Sequence, residues 1–247
     1  MWAVNNRDEA TAAKLLDEGV SANLKAPNGD SMLWRAVNNN MPDLAKLLPA
    51  RGANPNSTGV DGTTPLMMAA DYQDPQLHIV HLLLSRGACV NTRDRYRRTA
   101  LLWALRSGKY AFTVHLMHDS RQILIALLAH GADVHSHDGD GRSVLSYLAG
   151  YGETELVREA LRHGANPNSA ASDGTTPLWW AVGHLGTLQV LLRAGASPNP
   201  PNVQPPIINA AYSGDLAALK LLIRFGARVD VLEDGVTRSR LPHSETA

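Results

Sequence analysis

The chain has 247 residues, 44% of them hydrophobic, and its 23 Lys and Arg equal its 23 Asp and Glu. A zero net charge excludes a global pull toward nucleic acid or membrane and confines any charge-based function to local clusters. Cys89 is the only cysteine, which excludes an intramolecular disulfide; no run of about 18 apolar residues and no signal-like start is present, so the composition points to a reducing compartment, the cytoplasm or the nucleus.

A glycine that closes an apolar run recurs at Gly19, Gly52, Gly87, Gly131, Gly164, Gly195 and Gly226, at intervals of 33, 35, 44, 33, 31 and 31 residues. Such a period means stacked repeats, because a segment of that length buries its apolar side only against a neighbour. The repeats run approximately 1–23, 24–56, 57–91, 92–135, 136–168, 169–199 and 200–231, with an irregular tail over 232–247.

The first repeat opens on Met1-Trp2-Ala3-Val4, midway along its first helix, as a capping or truncated repeat would. In the second, Ser31 stands ready to cap a helix. In the third, Asp61-Gly62-Thr63-Thr64-Pro65-Leu66 puts a capping hydroxyl on Thr64 and a proline at the first helical position, where a missing N–H is harmless. Asp74-Pro75 lengthens the link that follows. The fourth has Thr99 at the capping position and about 11 extra residues, Lys109 to Asp119, before its second helix. Ser143 starts the fifth, and Asp173-Gly174-Thr175-Thr176-Pro177-Leu178 repeats the third repeat's opening in the sixth. The seventh begins within Pro198-Asn199-Pro200-Pro201-Asn202-Val203-Gln204-Pro205-Pro206, whose prolines cannot donate to a hairpin, so an extended loop is expected. Small residues at Ala36, Ala69, Ala104, Ala149, Ala181 and Ala210 suit close helix contacts, and the recurring glycines suit helix ends that need a left-handed residue.

These words, Gly-Thr-Thr-Pro-Leu at 62–66 and again at 174–178, followed by small residues, Leu-Leu and Gly-Ala, with seven repeats in register over residues 1–231, make the chain resemble an ankyrin-repeat protein. The resemblance implies an all-α solenoid of about seven helix-turn-helix repeats joined by β-turns or hairpins. It also implies recognition of protein partners with no chemistry of its own. Partners of such proteins meet the hairpin tips and the outer side of the first helix of each repeat. Carried onto this chain, those places are Asp30, Trp34, Asn38, Asn39, Asp61, Thr63, Asp71, Tyr72, Arg95, Tyr96, Arg98 and Arg106, then Asp140, Arg142, Tyr151, Asp173, Thr175, Trp179, His184 and Tyr212. Trp103, Tyr147 and Trp180 fall one place further along, where a side chain points between helices.

The densest local charge is Arg93-Asp94-Arg95-Tyr96-Arg97-Arg98, in the fourth hairpin. Guanidiniums beside a tyrosine can grip an acidic protein, a nucleic acid or another polyanion, or they can simply keep a hairpin tip solvated. The insertion brings Tyr110, Phe112, Leu116 and Met117, apolar residues for which an ordinary repeat has no slot. They either extend the second helix and tuck against their own repeat, or form a partner-specific knob.

Signs of catalysis are weak. The pairs His78/His81, His115/His118 and His135/His137 have metal-compatible spacing without a third ligand, and Asp138-Gly139-Asp140-Gly141 begins like a calcium loop but has Ala149 where such a loop needs glutamate. Nucleophile-elbow, phosphate-loop and dinucleotide motifs do not occur. The sequence therefore reads as a non-catalytic, monomeric scaffold without cofactor, metal or membrane attachment. Polyanion binding through the arginines, or service as the recognition part of a larger enzyme or ligase, stand as the other readings.

Overall fold

Five of the helices start where a hydroxyl or carboxylate takes up a free N–H. Ser31 Oγ accepts from Trp34 N at 3.1 Å, Thr64 Oγ1 from Met67 N at 3.2 Å and Thr176 Oγ1 from Trp179 N at 3.4 Å. The computed structural model describes residues 1–59, 61–71, 75–105, 118–201 and 205–229. The chain divides into two compact units, Met1–Val144 and Leu145–Ala247.

The first unit holds α1 (Trp2–Asn5), α2 (Glu9–Asp17), α3 (Met32–Asn38), α4 (Pro42–Ala50), α5 (Pro65–Ala69), α6 (Leu77–Ser85), α7 (Ala100–Leu105) and α8 (His118–Ala129), and α9 (Val144–Gly150) starts on its last residue. The second holds α10 (Thr154–Arg162), α11 (Pro177–Trp180), α12 (Leu185–Arg193), α13 (Pro206–Tyr212) and α14 (Leu216–Arg224). Among the described residues the only β-structure is two isolated antiparallel bridges, Lys25–Ser31 and His137–Ser143. The all-α expectation therefore holds. Helices this short are marginal alone and depend on burying one side against neighbours. In the first unit α3 packs on α4 and α5, α5 on α6 and α7, and α6 on α8; in the second α11 packs on α12 and α13, and α12 on α14. Ala36, Ala69, Ala104, Ala149, Ala181 and Ala210 are all fully buried.

Every second helix of a repeat ends the same way. The seven recurring glycines have φ between 79° and 93°. Around Gly52, the Ala53 N–H reaches back to Leu48 O at 2.9 Å and the Gly52 N–H to Pro49 O at 3.3 Å, a Schellman closure, and the same pair of bonds recurs at each of the other six.

At five of the seven, the glycine carbonyl is then taken by an asparagine of the preceding repeat. Asn23 Nδ2 donates to Gly52 O and its Oδ1 accepts from Asn54 N. Asn56 spans Gly87 O and Cys89 N in the same way, and Asn91 spans Gly131 O and Asp133 N. In the second unit Asn168 spans Gly195 O and Ser197 N, and Asn199 spans Gly226 O and Arg228 N. Each rung fixes the spacing of two repeats from a single side chain. Asn56→Ala removes two exposed bonds and is expected to lower stability by about 1 kcal/mol, checked by urea denaturation.

Two helix ends are capped from a neighbouring repeat. Met41 gives α4 no side-chain cap, and Glu9 of the preceding repeat accepts from Leu44 N at 2.6 Å instead. Gln76 Nε2 donates to Val37 O at the end of α3. Asp8 caps α2 through Thr11 N, and hydrogen bonding from Thr11, side chain first and then backbone, holds its carboxyl below the usual carboxylate range. A depressed folded pKa means that this cap contributes above the unfolded value and is lost as pH falls through the folded one.

The irregular repeats differ from expectation in particular ways. Thr99 stands just before α7, yet its buried hydroxyl has no hydrogen-bond partner among the described residues, so it does not cap as Ser31 does. Helix α8 has 12 residues against nine in α4, α6, α10, α12 and α14, and His118 and Asp119 at the end of the insertion form its first turn. The rest of the insertion, with Tyr110, Phe112, Leu116 and Met117, lies outside the described residues, as do Tyr72 and Arg106. In the sixth repeat the first helix, α11, has only four residues. The prolines of the seventh lead to Pro205, extended at φ −61° and ψ 146°, immediately before α13; 202–204 lie outside the described residues.

Candidate functional site

Five hairpins share one backbone plan. Ala26, Gly59, Asp94, Asp138 and Ala171 each accept, at their carbonyl, the N–H of the residue three places on, and each donates its own N–H to the residue four places on. The residue at the third place must turn left-handed, and it is Gly29, Gly62, Gly141 and Gly174 in four hairpins, with φ from 72° to 90°. In the fourth hairpin it is Arg97, at φ 62°. The residue before it is Asn28, Asp61, Asp140 or Asp173 in those four and Tyr96 in the fourth. Asn-Gly and Asp-Gly are what this geometry favours, so Tyr96-Arg97 is a departure from turn chemistry.

The fourth hairpin is built around Asp94, whose side chain is fully buried. Its Oδ1 accepts from Tyr96 N at 2.8 Å and Arg98 N at 2.9 Å; its Oδ2 accepts from Arg98 Nε at 2.7 Å, Arg98 Nη2 at 2.6 Å and Trp103 Nε1 at 3.1 Å. Arg98 lies with its guanidinium 4.6 Å from the Tyr96 ring and 4.4 Å from the Trp103 ring. Arg95 covers Tyr96 from 4.7 Å. It also pairs with Asp61 of the third hairpin at 2.6 Å, while its N–H donates to Asp61 O at 3.0 Å, tying the two tips together. That hydrogen bond to Asp61 raises the Arg95 pKa above its already high value. Arg93 faces Asp133 at 3.5 Å.

The cluster read from the sequence as four basic side chains is thus largely neutralised. Arg93, Arg95 and Arg98 each face a carboxylate; Arg97 has no ion pair among the described residues. Arg98 is buried, so its work is inside the hairpin rather than on its surface. Tyr96 remains 47% exposed between two guanidiniums.

The other candidates are scattered. In the second repeat Asp30, buried, pairs with Arg35 at 3.2 Å, and Trp34, half-buried, donates from Nε1 to Thr63 Oγ1 at 2.8 Å. Asn38 is exposed and Asn39 half-buried, its Nδ2 on Val4 O. Asp71 is half-buried, and Asp61 is exposed opposite Arg95. In the fifth hairpin Asp138 Oδ1 accepts from Asp140 N and Arg142 N. Tyr151 is 3% exposed and therefore inside the protein. In the second unit Trp179 meets Trp180 edge to face at 4.8 Å, and Trp180 Nε1 donates to Thr175 Oγ1, which itself reaches Asp173. His184 is half-buried with Nε2 3.0 Å from Gly150 O, and Tyr212 is 74% exposed. Of the three residues expected between helices, Tyr147 is buried, whereas Trp103 and Trp180 are half-buried with their ring N–H groups bonded.

Sequence reasoning missed Asp94 as the hub and Arg97 as the glycine replacement. The second was visible by laying the five hairpins in register; the first was not, because Asp94 and Asp138 look alike in sequence. Among the described residues no group of three or more His, Cys, Asp or Glu side chains is placed to hold a metal ion, and no helix is long and apolar enough to cross a membrane.

Comparison with known proteins returns one family. A model of ankyrin repeats, three copies, matches residues 1–94, 33–122 and 111–202. Human ankyrin repeat and SOCS box protein 6 is 30% identical over 207 residues, covering 75% of this chain and 48% of its own. The B-cell lymphoma 3 protein homolog of Mus musculus is 28% identical over 169 residues, covering 66% of this chain and 35% of its own. This chain thus spans about half, or less, of these curated relatives. The crystal structure of an ankyrin repeat domain from Acinetobacter baumannii superposes with a TM-score of 0.65 at 27% identity, over 79% of this chain and 98% of that one.

Proposed function

The chain belongs to the ankyrin-repeat family, and from that premise we propose that it is a non-catalytic scaffold that recognises a protein partner through the hairpin tips of its first unit. Ankyrin repeats are generally protein-interaction modules. The observation that carries the reading here is Tyr96: an exposed aromatic ring held between Arg95 and Arg98, with Arg98 anchored in turn on the buried Asp94. Tyr and Arg are the residue types that most often dominate binding energy. Their immobilisation before binding reduces the entropy lost on docking. Asp61, Trp34 and Asn38 extend the surface along the second and third repeats.

A polyanion is the less favoured ligand. Phosphate chains are held by several unspent cations at once, and three of these four arginines already face Asp61, Asp94 or Asp133. We place the protein in the cytoplasm or nucleus as a monomer.

The test is capture from a nuclease-treated extract by the intact chain and by an Arg95→Ser/Tyr96→Ser variant whose helicity is verified by circular dichroism. Proteins retained by the first and lost by the second are expected. Equal retention would move the site away from this tip. Recovery of nucleic acid from untreated extract, lost at raised salt, in place of any protein would overturn protein recognition itself.

A further inference from the structure

Arg97 occupies a backbone position that favours glycine. Four hairpins of this chain use glycine there and only the fourth uses a long cationic side chain, at φ 62°. An L-residue in the left-handed region is strained; outside the ends of α1 and α3, where Arg7 and Asn40 stand at φ 57° and 51°, Arg97 is the one such residue among the described residues, and residues of this kind cluster at functional sites. The hairpin itself gives no reason to keep it: Arg97 is exposed and makes no ion pair among the described residues, while Arg93, Arg95 and Arg98 are taken by Asp133, Asp61 and Asp94.

We propose that Arg97 is a recognition residue that binds one carboxylate of an acidic protein segment, with the Tyr96 ring beside it. The proposal rests on the protein-recognition reading above and names the partner's chemistry. Charge fixes the choice of occupant. The tip carries four arginines against three paired aspartates, which leaves one positive charge. Asp61 and Asp133 flank it on exposed or half-exposed surface and repel a dense row of phosphates. A single planar guanidinium matches a single carboxylate through paired N–H donors.

The experiment uses the full chain. A random-peptide display library is selected on it, and the selected peptides are labelled and titrated by fluorescence anisotropy against wild type, Arg97→Gly, Arg97→Asn and Arg97→Lys. The selected peptides are expected to share an Asp or Glu. Arg97→Gly and Arg97→Asn are expected to bind about tenfold or more weakly, and Arg97→Lys less weakly than either. Changing the shared peptide Glu to Gln gives the same loss on wild type and no further loss on Arg97→Gly. At the same time the melting temperature of Arg97→Gly is expected to equal or exceed that of wild type, since the strain is relieved. Peptides that lack a common acidic residue, or that bind Arg97→Gly as tightly as wild type, overturn the proposal. So does a fall in the melting temperature of Arg97→Gly, which would show that the residue serves the fold. Selection of no peptide at all overturns protein recognition as a whole. A labelled single-stranded oligonucleotide that binds wild type, steeply dependent on salt and lost in Arg97→Gly, would transfer Arg97 to a nucleic acid.

Discussion

Replacing Asp94 by Ala is expected to destabilise the first unit by about 3–5 kcal/mol, the range for leaving one member of a buried ion pair without its partner. Four donors lose their acceptor at once: the N–H groups of Tyr96 and Arg98, the Arg98 guanidinium and the Trp103 indole. The Arg98 side chain is only 11% exposed, so its charge cannot be hydrated without moving out from between Tyr96 and Trp103. The turn that displays Tyr96 and Arg97 is held by the same carboxylate, so partner binding should fall together with stability. Asp94→Asn keeps one carbonyl acceptor for the two backbone N–H groups and should lose less. Urea denaturation followed by circular dichroism measures the effect. A midpoint unchanged in Asp94→Ala would show that Arg98 finds water readily and that the hub is not structural.

Much of the architecture was legible in the amino-acid order, for physical reasons that act within one repeat. A hydroxyl before an apolar run meets a free N–H three residues on, as at Ser31, Thr64 and Thr176, and a glycine after Leu-Leu closes a helix wherever the repeat places it. Thr99 shows the limit of that logic: the same residue type at the same place leaves its hydroxyl without a hydrogen-bond partner among the described residues. What depends on two repeats at once was not legible. Asn23, Asn56 and Asn91 look like ordinary loop residues until the next glycine carbonyl is brought against them. Similarly, Arg93, Arg95 and Arg98 read as a basic patch because the aspartates that neutralise two of them, Asp133 and Asp61, lie 40 and 34 positions away in the chain. Charge counted along the sequence therefore overstated what the tip offers to a partner. Tyr151 misled in the opposite direction, since an aromatic residue following a helix reads as surface but packs inward here.

Gly152→Ala is expected to cost about 2–4 kcal/mol, because it combines two separable penalties. Gly152 follows α9 at φ 69°, where its N–H closes the helix on Ala149 O, and an L-residue there adds about 1–2 kcal/mol of backbone strain. A Cβ would also sit 2.4 Å from His184 Nδ1 and 2.7 Å from its Cγ, an overlap typically worth about 1–3 kcal/mol if the ring cannot retreat. The ring is not free to do so. Its Nε2 lies 3.0 Å from Gly150 O, and since a carbonyl only accepts, Nε2 carries the proton and loses its bond if the imidazole swings away. The backbone of His184 also stands at the start of α12. The double variant Gly152→Ala/His184→Ala separates the terms: the overlap disappears, the φ strain stays, and a bond worth about 1 kcal/mol is lost. It should therefore be more stable than the sum of the two single variants predicts. Strict additivity would mean that the imidazole does not lie against Gly152. With one nitrogen bonded to Gly150 and the other facing Gly152, His184 serves as a spacer between the fifth and sixth repeats.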